Sequence, residues 1–184
     1  MRVQVSSFET PAEVNRVAFP DESADVFLRA QMKNPQTSPL LAGPVRLLMQ
    51  GAEVGFADIP FVGSGERFSF GLAQDERLQV RCRRHPVIEQ KRLKKDKVHF
   101  VRELEFCSAS KESESFHVKL RLPKSEVDKL KVNPSMQHCT LGEPKLDDDG
   151  IFHFEVELKP RRRRVERFAF HFDAPSSVQV PDPW

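Results

Sequence analysis

Tyrosine is absent from this 184-residue chain, and Trp184 is its only tryptophan. The aromatic content is carried by 15 phenylalanines instead. Rings without a polar handle suit a greasy interior better than a wet stacking surface. Cysteine is scarce as well. Cys82, Cys107 and Cys139 are odd in number and widely spaced, which excludes a disulfide scaffold, because such scaffolds need paired and denser cysteines. Cys82 and Cys107 fall on apolar phases and are expected as buried small hydrophobes. No apolar run approaches the length of a membrane-crossing helix, and the first seven residues hold no core of signal-peptide length. The chain is therefore expected to be soluble, without membrane insertion, and cytoplasmic as written; a longer parent would carry any export signal elsewhere. Charge of one sign is also lacking: 29 basic residues face 27 acidic ones, for a net +2. So small an excess weighs against nucleic acid as a partner, since dedicated domains carry a larger surplus or a clear basic stripe.

What the chain does have is punctuation and alternation. Ser38-Pro39-Leu40-Leu41-Ala42-Gly43-Pro44-Val45 is followed by Gly51, Val54-Gly55 and Gly65-Glu66. Short apolar runs separated by Gly and Pro are the pattern of tight turns between short strands. Period two dominates elsewhere. It sets Leu28, Ala30 and Met32 against Arg29 and Gln31, and it recurs in Phe68, Phe70, Leu72 and in Leu78, Val80, Cys82. Val98, Phe100, Arg102, Leu104 and Phe106 lie opposite His99, Val101, Glu103 and Glu105. Phe116–Leu122, Phe152–Leu158 and Phe168–Phe172 follow the same rule. Each segment then has one buried and one wet face, as antiparallel sheets allow and parallel sheets do not favour. Helix signals are confined to Ser125–Lys131, with Ser125 as N-cap and Asp128 at the capping-box position; an extended reading of Leu130–Val132 competes. The fold class expected is all-β and mostly antiparallel. A small β-rich unit over 1–84 precedes a basic connection at 85–97. An immunoglobulin-like β-sandwich follows over 98–184.

From Ala24 to Pro175 the sequence resembles the C-terminal domain of mucoidy inhibitor A-type bacterial proteins, a domain of unknown function. Asn34 followed by Pro39-Leu40-Leu41-Ala42-Gly43 carries the most specific part of the likeness. Gly51 to Gly55, Gly65-Glu66 with Phe68, and Asp75 to Arg81 match a turn, a strand entry and an acidic turn leading to an alternating strand. Leu122-Pro123-Lys124-Ser125-Glu126 and Gly150–Leu158 with Pro160 match a Pro-x-Ser segment and a last hairpin. Ala73 departs from the pattern, which has glycine two residues before the aspartate. The resemblance implies a non-enzymatic structural or protein-interaction domain tied to cell-envelope or exopolysaccharide biology. Its protein partner is unidentified and its oligomeric state open.

Chemistry-bearing residues are weighed against plain structural roles. His99, His117, His153 and His171 all sit on the polar phase and are expected as exposed sheet residues, since a metal needs several ligands to converge. Asp147-Asp148-Asp149-Gly150 lacks the spaced oxygen ligands of a calcium loop and reads as a turn before a strand. His138 and Cys139 are adjacent, so on a strand they point to opposite faces and are badly placed for proton transfer. No catalytic residue, cofactor or metal site is expected. The sharpest charge feature is Arg161-Arg162-Arg163-Arg164, a candidate anion patch within the basic hairpin 159–167. Its plain alternative is a solvated hairpin tip between a Phe152/Phe154/Val156 strand and a Phe168/Phe170/Phe172 strand, with His153 and His171 together on the outer face.

Overall fold

The computed structural model describes residues 7–85, 88–90, 95–123, 131–135, 138–141, 145–147 and 149–175. It is almost all β, with 67% strand, no helix and a large, mostly antiparallel, curled sheet. The Ser125–Lys131 helix candidate lies outside the described residues except for Lys131, which opens a strand. Contacts group the chain into two compact units. One comprises residues up to Val17 with Phe27–Asp75, and the other comprises Ala18–Val26 with Glu76 onward. The sequence reading drew its division at 85–97 instead. That basic stretch holds a strand of its own, β6 (Ile88–Gln90), and the start of β7 (Lys95–Ser108), which pair antiparallel. Their ladder hydrogen bonds give structure to a stretch whose side-chain pattern had no period.

In the first unit, β1 (Ala12–Ala18), β2 (Asp25–Lys33) and β5 (Arg67–Arg84) are successive neighbours in sheet order. Val17, Ala30 and Phe68 are buried, as the alternation of β2 and β5 requires. A second, two-stranded sheet joins β3 (Gly43–Met49) to β4 (Ala52–Ile59). Its turn residues Gln50 (φ 51°) and Gly51 (φ 83°) both have positive φ, the requirement of a type I′ hairpin, which matches the twist of the flanking strands. An isolated bridge pairs Leu40 with Val62. Beside it, Asn34 is fully buried. Its Nδ2 donates to the carbonyls of Ser38 (3.0 Å) and Gly63 (3.1 Å), and its Oδ1 accepts from Gln36 N (3.1 Å). Asn34 thus substitutes for missing ladder partners and ties loop 34–38 to loop 62–66. The acidic turn expected at Asp75 is absent. β5 runs straight through it, with Asp75 buried and held by Arg16 Nε at 2.8 Å. An alanine at position 73 is therefore in place, because no left-handed residue is needed there.

The second unit contains the large core. Its sheet order runs β10 (Lys145–Leu146), β11 (Ile151–Leu158), β8 (Glu114–Arg121), the ends of β1 and β2, then β5, β7, β12 (Arg163–Pro175) and β9 (Lys131–Pro134). β10–β11, β11–β8, β5–β7, β7–β12 and β12–β9 pair antiparallel. Phe152, Phe154 and Val156 are buried together with Phe168, Phe170 and Phe172, so their phase is as the alternation required. The expected hairpin between these strands is not formed. β11 pairs with β8 and β10, whereas β12 pairs with β7 and β9. Their phenylalanines meet across the core instead: the Phe168 ring lies 5.2 Å from Phe152 and 5.7 Å from Phe154. Two strands joined by a short turn need not share a ladder when burying both apolar faces against each other removes more surface from water. Arg102 is a charged residue on the apolar phase of β7, between Phe100 and Leu104. It is buried, paired with Asp21 and placed 5.5 Å from the Phe170 ring. Burial lowers its pKa, and Asp21 opposes that shift.

Candidate functional site

The four arginines of the predicted patch do not act as one unit. Arg161 sits in the turn with positive φ (48°), exposed, and donates its backbone N–H to Ser110 O. Arg162 is also exposed, and its carbonyl accepts from Ser108 N. Neither guanidinium has an ion pair among the described residues. Arg163 and Arg164 have entered β12. Arg163 Nε meets Glu105 Oε1 at 2.8 Å, and Arg164 Nε meets Glu166 Oε1 at 2.5 Å. The same pattern extends along the outer face. Glu105 also receives Arg83 at 3.5 Å, while Glu103 receives His85 at 3.3 Å and Arg167 at 4.0 Å. Carboxylates on the central strand β7 thus lie between bases on β5 and β12. Cross-strand pairs of opposite charge support a sheet modestly, and here they take up much of the basic charge that the sequence displays. The signal was available in sequence only as Glu103 and Glu105 on one polar phase. Which arginines face them is a matter of register.

The cysteines divide. Cys82 packs against the core, and burial raises its pKa. Cys107 lies instead on the outer phase, with its Sγ 3.6 Å from Glu105 Oε1, so the expectation of a second core thiol is corrected. Burial and the Glu105 contact raise its pKa. All three cysteines are free. Cys139 packs on the core while His138 meets His99 edge-on, so the two side chains diverge.

The histidines also divide. His117 is exposed, as expected. His153 Nε2 meets Asp147 Oδ2 at 2.7 Å, while Asp147 Oδ1 accepts from Ile151 N and Asp149 N. The His153 hydrogen bond, then that of Ile151, holds the Asp147 carboxyl below its ordinary range. Gly150 (φ 77°) completes this turn before β11; Asp148 lies outside the described residues. His99 and His171 are not exposed. His99 is only 4% exposed, and its ring stands 5.2 Å from His171 and 5.3 Å from His138. The expectation failed because β9, Ser135 and Thr140 bond along the far edge of β12, and His138 between them stands against His99 on the polar phase of β7. His153 and His171 consequently have separate partners. Among the described residues, no three His, Cys, Asp or Glu side chains are grouped to hold a metal ion.

A feature that the sequence reading passed over is apolar exposure. Leu41 (76%), Phe56 (71%), Phe61 (58%), Leu48 and Met49 are all exposed, and all belong to the segment that folds as the β3–β4 hairpin and its base. Arg46 and Glu53 form an ion pair at 3.6 Å on the same hairpin. Hydrophobic alternation cannot reveal such residues, because it reports which face is apolar and not whether anything covers it. A shallow cleft in the second unit is lined by Phe19, Asp21, Glu22, Lys119, Arg121 and Ile151. Its Asp21 carboxylate is already bonded to Arg102 and to Arg121 N.

The fold and these surfaces define a mostly antiparallel β-protein with an exposed apolar hairpin and a charge-paired outer face. Comparison with family models, with curated proteins and with solved structures found no match.

Proposed function

We propose that this chain is a non-enzymatic, protein-interaction β-domain whose docking surface is the Leu40–Val62 hairpin. The observation that carries the reading is the exposure of Leu41, Phe56 and Phe61 on one short segment. Monomeric proteins seldom leave clustered large apolar side chains in water, and such clusters mark interaction surfaces. Aromatic residues at the centre of a patch are also the usual anchors of an interface. The occupant is a folded protein with an apolar face, and the Arg46–Glu53 pair belongs to the polar rim. The mucoidy inhibitor resemblance supplies the setting, cell-envelope or exopolysaccharide biology. An immunoglobulin-like sandwich over 98–184 fits the face-to-face contacts of Phe152 and Phe154 with Phe168.

The test is a photoreactive residue placed at position 56 in cells, with position 117 as an exposed control. The expected result is a discrete adduct with one protein at position 56. Purified, that protein binds the wild-type chain and fails to bind Phe56→Ser/Phe61→Ser of unchanged thermal stability. Equal adducts at both positions, or undiminished binding by the variant, would overturn the reading. One observation favours a second function, anion or nucleic-acid binding by hairpin 159–167: the exposed Lys159, Arg161 and Arg162. Salt-sensitive retention on heparin, abolished by Arg161→Ser/Arg162→Ser, would promote it.

A further inference from the structure

His99, His138 and His171 come from three successive pieces of the sheet. His99 and His171 are direct partners across the β7–β12 ladder, and Asn133 of β9 stands opposite His171 on the other side. Beyond β9 the chain keeps following β12: Ser135 N donates to Ala169 O and Thr140 N to Arg167 O, each at 2.8 Å. His138 is thereby set edge-on against His99, with ring planes at 81°. His99 is the middle ring of the three. Its Nδ1 lies 3.1 Å from Ser135 Oγ, so the segment is held to β7 by side chains as well as to β12 by backbone. His99 Nε2, His138 Nε2 and His171 Nδ1 are buried and have no hydrogen-bond partner among the described residues.

We propose that His99, His138 and His171 form a proton-operated latch, which keeps edge residues 131–135 and 138–140 seated on β12 while the rings are neutral and releases them when they are protonated. The argument is one of charge count. Around the rings, β7 contributes Lys97, whose Nζ lies 3.4 Å from His171 Nε2. β12 contributes Asp173, with one oxygen 3.5 Å from His171 and the other 3.6 Å from Lys97. β9 contributes Asn133, which donates to Asp173 Oδ2. On its far side β7 meets β6, with Ile88 opposite His99 and Glu89 opposite Val98. Among the described residues, the carboxylate that contacts the rings, Asp173, is already matched by Lys97. Each proton added to the cluster is an uncompensated charge in a partly dry site, next to other rings that also accept protons. Burial first, then the neighbouring His171 and His138, hold His99 below the usual histidine range; burial and Lys97 do the same for His171. Unseating the segment rehydrates the rings and frees the outer edge of β12, whose Ala169 and Arg167 carbonyls would then be open to another strand.

Amide exchange read residue by residue tests the latch. Between pH 7.5 and pH 5, after correction for intrinsic exchange, the Ser135 and Thr140 amides of the wild type should lose protection by at least about tenfold, the effect of one pK unit. Amides of the β8–β11 ladder should not. His138→Gln, at a half-buried position away from the phenylalanine core, should keep its protection at pH 5, and so should His99→Phe where it folds. Unchanged wild-type protection across this range would overturn the proposal. So would equal loss in His138→Gln, or loss spread evenly over β8 and β11.

Discussion

At the scale of single residues, the decisive groups are those whose environment departs from their place in the alternating pattern. Phe154 and Phe170 follow the pattern and lie in the shared core. Replacing either with alanine should cost about 3–5 kcal/mol in urea unfolding, the range for a buried phenylalanine. Asp147 answers to local chemistry instead. Its folded pKa is depressed, chiefly by the His153 hydrogen bond. It therefore contributes stability above its unfolded pKa of 3.8, and that contribution is lost as pH falls through the lower folded value. His153→Ala should move the Asp147 carboxyl titration, followed by NMR, back toward 3.8. Asn34 was legible only as part of a resemblance. Nothing in its own letter announces that it closes two loops, because its partners, Ser38 O and Gly63 O, are brought to it by chain 4 and 29 residues away.

At the scale of elements, alternation correctly placed β2, β5, β7, β8, β11 and β12 but not their neighbours, and it did not mark β1, β6, β9 or β10. The turn at 159–162 looked like a hairpin tip because phenylalanine alternates on both sides of it. It instead carries the chain from the β8 side of the core to the β7 side. The arginines there divide accordingly. Arg161→Ser and Arg162→Ser should each change stability by no more than about 0.5 kcal/mol, as for exposed substitutions without partners. Arg163→Ser should cost more, about 1 kcal/mol, because Glu105 is buried and loses its closest cation. Chemical denaturation of the single variants checks the order; equal effects at 161 and 163 would contradict the ion-pair geometry. The sequence showed four like charges in a row, and only the start of β12 at Arg163 separates them into two solvated and two paired groups.

At the scale of the whole molecule, acid should act as a destabiliser. His99 and His171 have folded pKa values below the ordinary 6.5, so the folded chain binds fewer protons than the unfolded one. Their contribution is intact above about pH 6.5 and declines as pH falls toward the lower folded values. The urea midpoint should be lower at pH 5.5 than at pH 7.5, with a smaller difference in His99→Phe. The sequence by itself determined that this protein is almost all β and mostly antiparallel, and it determined which face of Phe116–Leu122, Phe152–Leu158 and Phe168–Phe172 is buried. A period of two is a local property, set by the pleat and readable from neighbouring letters. Tertiary structure alone decided the order of strands, and with it which polar faces stay wet. On the polar phase of β7, His99 is buried because Ser135 and His138 come against it from beyond β12, whereas Glu105 lies between Arg83 of β5 and Arg163 of β12. The apolar residues Leu41, Phe56 and Phe61 are exposed because the β3–β4 hairpin forms a separate two-stranded sheet. Burial on either face depends on what packs there from distant parts of the chain, and no local pattern encodes that.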